Sequence, residues 1–252
     1  MISVVVCSRN PDGSDRHVKN IGRTIGVEHE YIPIDNSART YSLCGAYNHG
    51  LDRSTGDIVV FVHEDVFFLG QNWGAILANK FRADAALGMI GVAGGQYLHA
   101  QAPGWCVCGR PFIHGKVVHE SEGRAILSVY SRVKGDVEVV ALDGLFFAAR
   151  RSIFEKIRFD DVTFDGFHFY DLDICMQARK AGYRLVVTED ILVKHLSGGS
   201  FDNVWVRYAQ RFTRKYSSDF PVNCTSLVPD PEKKERFESF DVTGKMPGIL
   251  AV

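Results

Sequence analysis

The sequence predicts an α/β fold with a mainly parallel central sheet flanked by helices. Residues 2–7, 30–34 and 58–62 are three strand-like runs, and the first and third have the composition of strands that are buried on both faces. A helix-like apolar spacing at residues 42–51 separates the second run from the third. Strands and helices that alternate in this way are typical of parallel strands joined by right-handed crossovers.

The remaining elements are predicted from the same periodicities. In chain order they are a helix at 73–83, a strand at 88–94, a hairpin of 116–120 against 125–130, an apolar segment at 142–149, a helix near 152–157, a helix at 170–181 that stops at Gly182, strands at 185–188 and 191–193, and a helix at 204–216. We expect a single catalytic domain at residues 1–220 and a C-terminal tail at 221–252 that packs on it or extends from it.

Composition excludes several classes of function. The 252 residues are 46% apolar and 23% charged, with a formal net charge of -1, so no overall charge favours nucleic acid as a partner. No run of about eighteen apolar residues occurs, which argues against a membrane-spanning helix. The apolar run at residues 2–6 is short and has no basic region before it, which predicts a cytoplasmic protein rather than a secreted one. The six cysteines are scattered through apolar segments, as reduced, structural thiols are.

Polar side chains follow each of the first three predicted strands. In an open parallel sheet, ligands bind beyond the carboxyl ends of the strands, so we expect these side chains to meet in one crevice. The three groups are Ser8, Arg9 and Asn10; Asp35, Asn36 and Ser37; and His63, Glu64 and Asp65.

Asp65 stands out because it follows a strongly apolar strand. A carboxylate there is suited to bind Mg or Mn, and such an ion would bridge phosphate oxygens. The alternative is that Asp65 caps the turn after the strand. The acidic residues later in the chain favour the metal.

Asp171 and Asp173 form a second acidic pair at the start of the predicted helix 170–181. Either carboxylate is a candidate general base, whereas ordinary helix capping is the alternative function. His195 follows the predicted strand 191–193 and precedes a glycine-serine loop. It is either a further metal ligand or a structural histidine.

Taken in order, these motifs resemble the GT-A family-2-like glycosyltransferases, particularly a bacterial glycosyltransferase-like branch. The resemblance covers about residues 2–200. It rests on the strand-end residues above, on Ala46-Tyr47-Asn48-His49-Gly50, on Thr55-Gly56-Asp57, on His63-Glu64-Asp65 in place of an Asp-any-Asp motif, on Asp143-Gly144 through Arg150-Arg151, on Tyr170-Asp171-Leu172-Asp173, and on Val193-Lys194-His195.

The resemblance implies a metal-dependent transfer of a sugar from a nucleotide-diphosphate donor to an acceptor hydroxyl, with inversion. The cofactor would be Mn or Mg, the acceptor a saccharide or a lipid-linked saccharide, and the process polysaccharide biosynthesis. The residues implied are Asp171 and Asp173 for catalysis, Ser8, Arg9, Asp35, Asn48 and Glu64 for donor binding, and Asp65, His63 and His195 for the metal.

Two residues depart from the family pattern. His63 stands where the first aspartate of the metal motif is usual, and Tyr170 stands where the catalytic helix usually carries glutamate. They favour, as the alternative function, a catalytically degenerate protein that binds nucleotide sugars as a scaffold. A nucleotidyltransferase is a weaker alternative, because the segment Cys7-Ser8-Arg9-Asn10 is not a glycine- and lysine-rich phosphate loop.

The predicted helix at 204–216 is basic and amphipathic. One interpretation is contact with the inner face of a membrane that carries a lipid-linked acceptor. The other, which amphipathicity itself favours, is a solvated helix whose aromatic residues pack on the domain. Its basic residues are Arg207, Arg211, Arg214 and Lys215, and its aromatic residues are Trp205, Tyr208 and Phe212.

Overall fold

The first strand of the chain lies inside a seven-stranded central sheet, as its β-branched sequence predicts. The computed structural model describes residues 1–10, 15–199, 201–230, 232 and 234–245. Within these residues the strands of this sheet, in spatial order, are β10 (Val137–Val139), β13 (Arg184–Val187), β5 (Leu87–Gly91), β12 (Phe146–Arg150), β3 (Ile58–Val62), β1 (Ile2–Ser8) and β2 (His29–Asp35).

Five of the seven strands of the central sheet run in the same direction, so the sheet is mainly parallel in strand direction, as predicted. β1 pairs in parallel with both β2 and β3, and β13 pairs in parallel with β5. β12 runs antiparallel between β3 and β5, and β10 runs antiparallel to β13. The carboxyl ends of β1, β2 and β3 therefore share one edge of the sheet, and the chain enters β12 at this same edge, because Phe146 pairs with Val62.

Helices cover both faces of the central sheet. Neighbouring residues of β1 point to opposite faces, so Val5 packs in one apolar core and Val4 in the other. The Val5 core includes residues of α2 (Leu43–Arg53), α4 (Tyr170–Lys180) and α5 (Asn203–Lys215). The Val4 core includes residues of α1 (Asp15–Thr24) and α3 (Trp73–Ala83). Among these described helices, none is long and apolar enough to cross a membrane.

A second sheet lies beside the first and carries the later histidine. Within the described residues its main path is β11 (Ala141–Leu142), β6 (Ala93–Gly95), β8 (Ile113–Ser121), β14 (Val193–His195) and β4 (Val66–Phe68). The predicted hairpin is present: β8 pairs with β9 (Arg124–Val129), with Glu120 opposite Ala125. β14 pairs antiparallel with β4, and this places His195 opposite Val66, one residue after Asp65.

Two predicted segments form different elements. Residues 88–94 form two strands, β5 and β6, because the chain passes from the central sheet to the second sheet there. Gly94 suits this crossing, since a Cβ at that position would overlap the carbonyl oxygen of Ala141. The predicted helix near 152–157 is a short 3-10 helix, Arg151–Glu155.

The segment after residue 220 adds strands to the domain. β15 (Val222–Asn223) pairs with β7 (Tyr97–Leu98), and β16 (Glu238–Asp241) pairs with β9. Residues 246–252 of the predicted tail lie outside the described residues, as do residues 11–14 and Ser200.

Candidate active site

Two histidines and an aspartate converge at the carboxyl edge of the central sheet. One ligand atom each from His63, Asp65 and His195 lies within 4.8 Å of the others. The Nε2 atom of His195 is 3.4 Å from Oδ1 of Asp65, and the rings of His63 and His195 are 5.6 Å apart between centroids. We call these three side chains the HDH cluster. The structure thus brings together the three residues that the sequence assigns to a metal.

Backbone hydrogen bonds hold the HDH cluster in place. The N–H of His63 donates to the carbonyl of Leu145, in the turn before β12, at 3.0 Å. The N–H of Leu196 donates to the carbonyl of Asp65 at 3.1 Å. The loops after β3 and β14 and the turn before β12 are therefore fixed relative to one another.

Asp65 and His63 of the HDH cluster have the protonation states that a bound metal cation requires. Burial would raise the pKa of Asp65, but hydrogen bonds from His195 and Ser197 outweigh it and hold that pKa well below its usual range. Burial, followed by the nearby His195, lowers the pKa of His63 to about 4. At neutral pH the cluster therefore offers an ionised carboxylate and a neutral His63 imidazole, the forms that bind metals. One carboxylate with two imidazoles is a donor set that can hold a divalent first-row transition metal.

Asp171 is a half-buried carboxylate at the start of α4. Its Oδ2 accepts a hydrogen bond from the backbone N–H of Gly144 at 3.0 Å, and its Oδ1 accepts one from Leu172 at 2.9 Å. Burial, and then the negative charge of Asp143, raise the pKa of Asp171 to about 7, although the two N–H donors oppose the rise. A carboxylate with a pKa near neutrality has the basicity expected of a general base.

The HDH cluster and Asp171 belong to one site. His63 Nε2 is 2.7 Å from the hydroxyl of Tyr170, which is the residue before Asp171. The turn before β12 contacts both, because Gly144 donates to Asp171 while Leu145 accepts from His63. These contacts hold the segment 63–65, which the sequence predicts to bind a metal, against the start of α4, which it predicts to carry the general base.

Gly144 has a steric reason to be glycine. A Cβ at this position would overlap the hydroxyl of Tyr170 and would lie 3.0 Å from the Cβ of Asp171. The absence of a side chain lets the turn before β12 approach the start of α4 closely enough for its N–H to reach the carboxylate.

Asp143 is a site residue to which the sequence reasoning gave no role. Its Oδ1 accepts a hydrogen bond from the N–H of Leu145 at 3.0 Å. Burial raises its pKa, while that N–H, the His195 ring and the side chain of Trp105 oppose the rise. Asp143 thus lies within electrostatic reach of both Asp171 and His195. The available signal was an acid directly before the apolar segment that becomes β12.

Three of the predicted donor-binding residues form a second cluster at the same edge of the sheet. Ser8 Oγ donates to Glu64 Oε2 at 2.6 Å, and the N–H of Arg9 donates to the same oxygen at 3.1 Å. The guanidinium Nε of Arg9 lies 3.7 Å from Glu64 Oε1, and its side chain is 68% exposed. An exposed arginine at this edge is available to an anionic ligand.

Asp35 ends β2 beside this cluster and is exposed. Its Oδ1 accepts a hydrogen bond from the N–H of Ser37 at 2.9 Å, and this bond holds the pKa of Asp35 below its usual range. The N–H of Asn36 donates to the carbonyl of Ser8 at 2.7 Å, which fixes the end of β2 against the end of β1.

A family model described as "Glycosyltransferase like family" matches residues 3–220. The chain belongs to this family. The resemblance drawn from the motifs is therefore confirmed, and the protein is a glycosyltransferase. It is 28% identical over 200 residues to a protein of Fuscovulum blasticum named "ATP synthase subunits region ORF 6", over 76% of this chain and 73% of the relative.

Solved structures share the GT-A fold of this glycosyltransferase. A mannosyltransferase from Pyrobaculum calidifontis, solved with GDP-Man and Mn2+, is 15% identical with a TM-score of 0.53, over 86% of this chain and 64% of that one. Staphylococcus aureus TarS 1-349, solved with UDP-GlcNAc, is 12% identical with a TM-score of 0.52, over 82% and 64%. GalNAc-T7, solved with UDP, GalNAc and Mn2+, is 14% identical with a TM-score of 0.55, over 90% and 52%.

In the glycosyltransferase, two of the predicted site residues, Asn48 and Asp173, form side-chain hydrogen bonds within the protein. The side-chain amide of Asn48 donates to the carbonyl of Phe159 at 2.8 Å and accepts from the N–H of Phe159 at 3.2 Å. Both ends of this amide are thus engaged with the segment after the 3-10 helix. That arrangement favours a structural role for Asn48 over the predicted donor binding.

Asp173 is engaged with the end of α5. Its carboxylate, 1% exposed, accepts from Lys215 Nζ at 2.6 Å, from the Tyr216 hydroxyl at 2.6 Å and from Gln177 at 2.7 Å. Three donors on two oxygens leave little capacity for a substrate proton. The geometry favours Asp171 as the base and a structural role for Asp173.

We expect Asp173→Asn to lower the free energy of unfolding by about 2 kcal/mol, because it weakens buried, charge-assisted hydrogen bonds. Denaturant unfolding followed by circular dichroism measures this change. Asp160→Asn is the matched control, since Asp160 pairs with the same Lys215 at 2.7 Å but is more exposed, so its loss should be smaller. An Asp173→Asn protein as stable as wild type would contradict the structural role.

Packing on the domain explains part of the basic, amphipathic pattern of α5. Tyr208 and Phe212 are buried in the core, and Arg211 forms an ion pair with Asp165 at 2.5 Å. These contacts favour the interpretation in which the helix packs on the domain.

Proposed function

We propose that this glycosyltransferase is metal-dependent and inverting, and that it takes its sugar from a nucleoside-diphosphate donor. The observation that carries the proposal is the HDH cluster beside a half-buried Asp171 whose pKa is raised to about 7. Two of the similar structures were solved with Mn2+ and a nucleotide or nucleotide sugar, which supports it.

In the proposed reaction Asp171 accepts the proton of the acceptor hydroxyl. The acceptor oxygen forms a bond to the anomeric carbon while the bond from that carbon to the diphosphate breaks, and the nucleoside diphosphate leaves with the electron pair. Attack opposite the leaving group inverts the anomeric centre. When bound, the metal supplies neutralisation of the diphosphate charge. The acceptor proposed is a saccharide or a lipid-linked saccharide.

Asp65, His63 and His195 are the residues that would hold the metal. Two imidazoles and one carboxylate suit Mn better than Mg, because Mg prefers oxygen ligands throughout. We therefore propose Mn as the working ion.

Ser8, Arg9, Asp35 and Glu64 are proposed to bind the nucleotide. They lie at the ends of β1, β2 and β3, which is where an open α/β sheet takes its ligands. The exposed Asp35 would accept hydrogen bonds from the nucleobase, while Arg9 would meet the negative charge of the diphosphate.

A thermal-shift screen tests this function. The ligands are UDP, GDP and their sugars, each with Mn, with Mg or with a chelator. We expect one nucleotide to raise the unfolding midpoint with Mn, less with Mg and least with the chelator; binding at 100 times Kd corresponds to about 2.7 kcal/mol.

The stabilising nucleotide sugar is then assayed for transfer and for hydrolysis. Mn-dependent release of nucleoside diphosphate would support the proposed enzymatic function. Stabilisation without any turnover across the sugars would favour the scaffold, and no stabilisation by any nucleotide with Mn would contradict the donor class.

A further inference from the structure

The two positions where this chain departs from the family pattern contact each other. His63 replaces the usual first aspartate of the metal motif, and Tyr170 replaces the usual glutamate of the catalytic helix. They are 107 residues apart in sequence, yet His63 Nε2 lies 2.7 Å from the Tyr170 hydroxyl. Their rings are 6.3 Å apart between centroids. His63 and Tyr170 therefore form one structural unit and are not two unrelated departures from the family pattern.

We propose that Tyr170 is a positioning residue that fixes the orientation and the tautomer of His63 for metal binding. This inference rests on the proposed function, because it concerns the same metal. A neutral imidazole carries one N–H donor and one lone pair, and a metal ligand needs the lone pair. In the arrangement that we infer, Nε2 carries the hydrogen and donates it to the hydroxyl oxygen of Tyr170, and the lone pair of Nδ1 is then left for the cation.

The surroundings of Tyr170 make it a rigid partner. Its side chain is buried, 4% exposed, and its ring packs edge-on against Tyr47 at 5.6 Å between centroids. Tyr47 is itself fully buried against Phe61, a residue of β3. The same strand leads into His63, so the histidine and the tyrosine are both anchored to one part of the core.

The missing side chain of Gly144 makes room for the Tyr170 hydroxyl. A Cβ there would overlap that oxygen, and the N–H of the same glycine holds Asp171. The turn at Gly144 thus accommodates the hydroxyl of Tyr170 and also holds the carboxylate of Asp171, the proposed base. A glutamate in place of Tyr170 would not fill this space with a rigid ring.

The first test is the tautomer of His63 in metal-free wild-type protein, read from the ring-nitrogen shifts of a 15N-histidine sample, with His63→Gln to assign the signal. The expected result is the Nε2–H form in the wild type and a mixture of forms in Tyr170→Phe. An Nδ1–H form in the wild type would overturn the inference. Because no metal or donor is present, this result does not depend on whether the enzyme turns over.

The second test is the affinity for Mn2+ alone, measured by calorimetry. Tyr170→Phe removes just the hydroxyl, and loss of a partner that orients a metal-ligating histidine is expected to weaken binding about 10–100-fold. Tyr216→Phe is the matched control, since it removes a buried hydroxyl that bonds Asp173 at 2.6 Å. It should lower stability and leave the Mn2+ affinity unchanged.

Equal Mn2+ affinity of Tyr170→Phe and wild type would overturn the positioning role while the proposed function stood. A wild-type protein with no Mn2+ binding in the presence or absence of nucleotide would overturn both.

Discussion

Replacing Asp171 by asparagine is expected to reduce glycosyl transfer by about 10²–10⁴-fold, the range that general-base groups contribute. The amide has nearly the shape of the carboxylate, and its single oxygen keeps one of the two hydrogen bonds that Gly144 and Leu172 donate to different carboxylate oxygens. It has no basic oxygen to take the proton of the acceptor hydroxyl. Donor binding with Mn should persist, so the thermal shift with nucleotide sugar should stay close to wild type while the transfer rate falls.

Asp173→Asn is the matched control for this experiment, because it makes the same charge change two residues further along α4. We expect it to transfer sugar at a rate close to wild type below its own unfolding midpoint. If Asp171→Asn retained full transfer and Asp173→Asn lost it, the assignment of the base would have to be exchanged.

The pH profile gives an independent check on Asp171. A general base acts in its ionised form, and the pKa of Asp171 is raised to about 7, so transfer should fall as the pH drops through this value. A bound dication would lower the pKa, and the midpoint is therefore expected at or below pH 7. The measurement is kcat against pH at saturating donor and Mn. A flat profile between pH 5 and pH 8 would contradict the role.

The inner strands β1 and β3 of the central sheet could be predicted because they are buried on both faces. The run at residues 58–62 is continuous and apolar, and β3 has these bounds. The helix predicted at 73–83 also has the observed bounds. Such segments are determined by their own composition, and the strand-end residues follow from them, because the ends of parallel strands lie at one edge.

Residues whose position depends on pairing between distant segments were harder to place. Asp143 lies in the site because β12 inserts antiparallel between β3 and β5. No local sequence pattern predicts that insertion. Similarly, the place of His195 depends on the pairing of β14 with β4. The sequence alone predicted that His195 is a candidate ligand, but it did not predict which residues lie next to it.

The roles of Asp171 and Asp173 could not be separated from the sequence. Residues two positions apart on a helix point in directions about 200° apart, so one of the two acids must face away from the other. Which of them faces the strand ends depends on where α5 packs. Lys215 and Tyr216 of that region donate hydrogen bonds to Asp173, and the backbone N–H of Gly144 donates one to Asp171.

Replacing Asp65 by asparagine is expected to abolish the Mn-dependent part of the thermal shift and to weaken Mn2+ binding more than about 100-fold, since losing a direct ligand should cost more than losing a supporting group. Asp65 is the anionic member of the HDH cluster, and two neutral imidazoles cannot replace its charge. Transfer should fall about 10³-fold if the metal contributes about 4 kcal/mol to the transition state.

Glu64→Gln is the control for Asp65→Asn, because it removes one negative charge from the neighbouring residue. Glu64 bonds Ser8 and Arg9 instead of the histidines, so its loss should weaken nucleotide binding and leave the response to Mn alone intact. The two variants thus separate a metal ligand from a nucleotide-binding residue one position apart. A normal Mn response in Asp65→Asn, together with a lost response in Glu64→Gln, would move the metal to the Ser8–Glu64 side of the crevice.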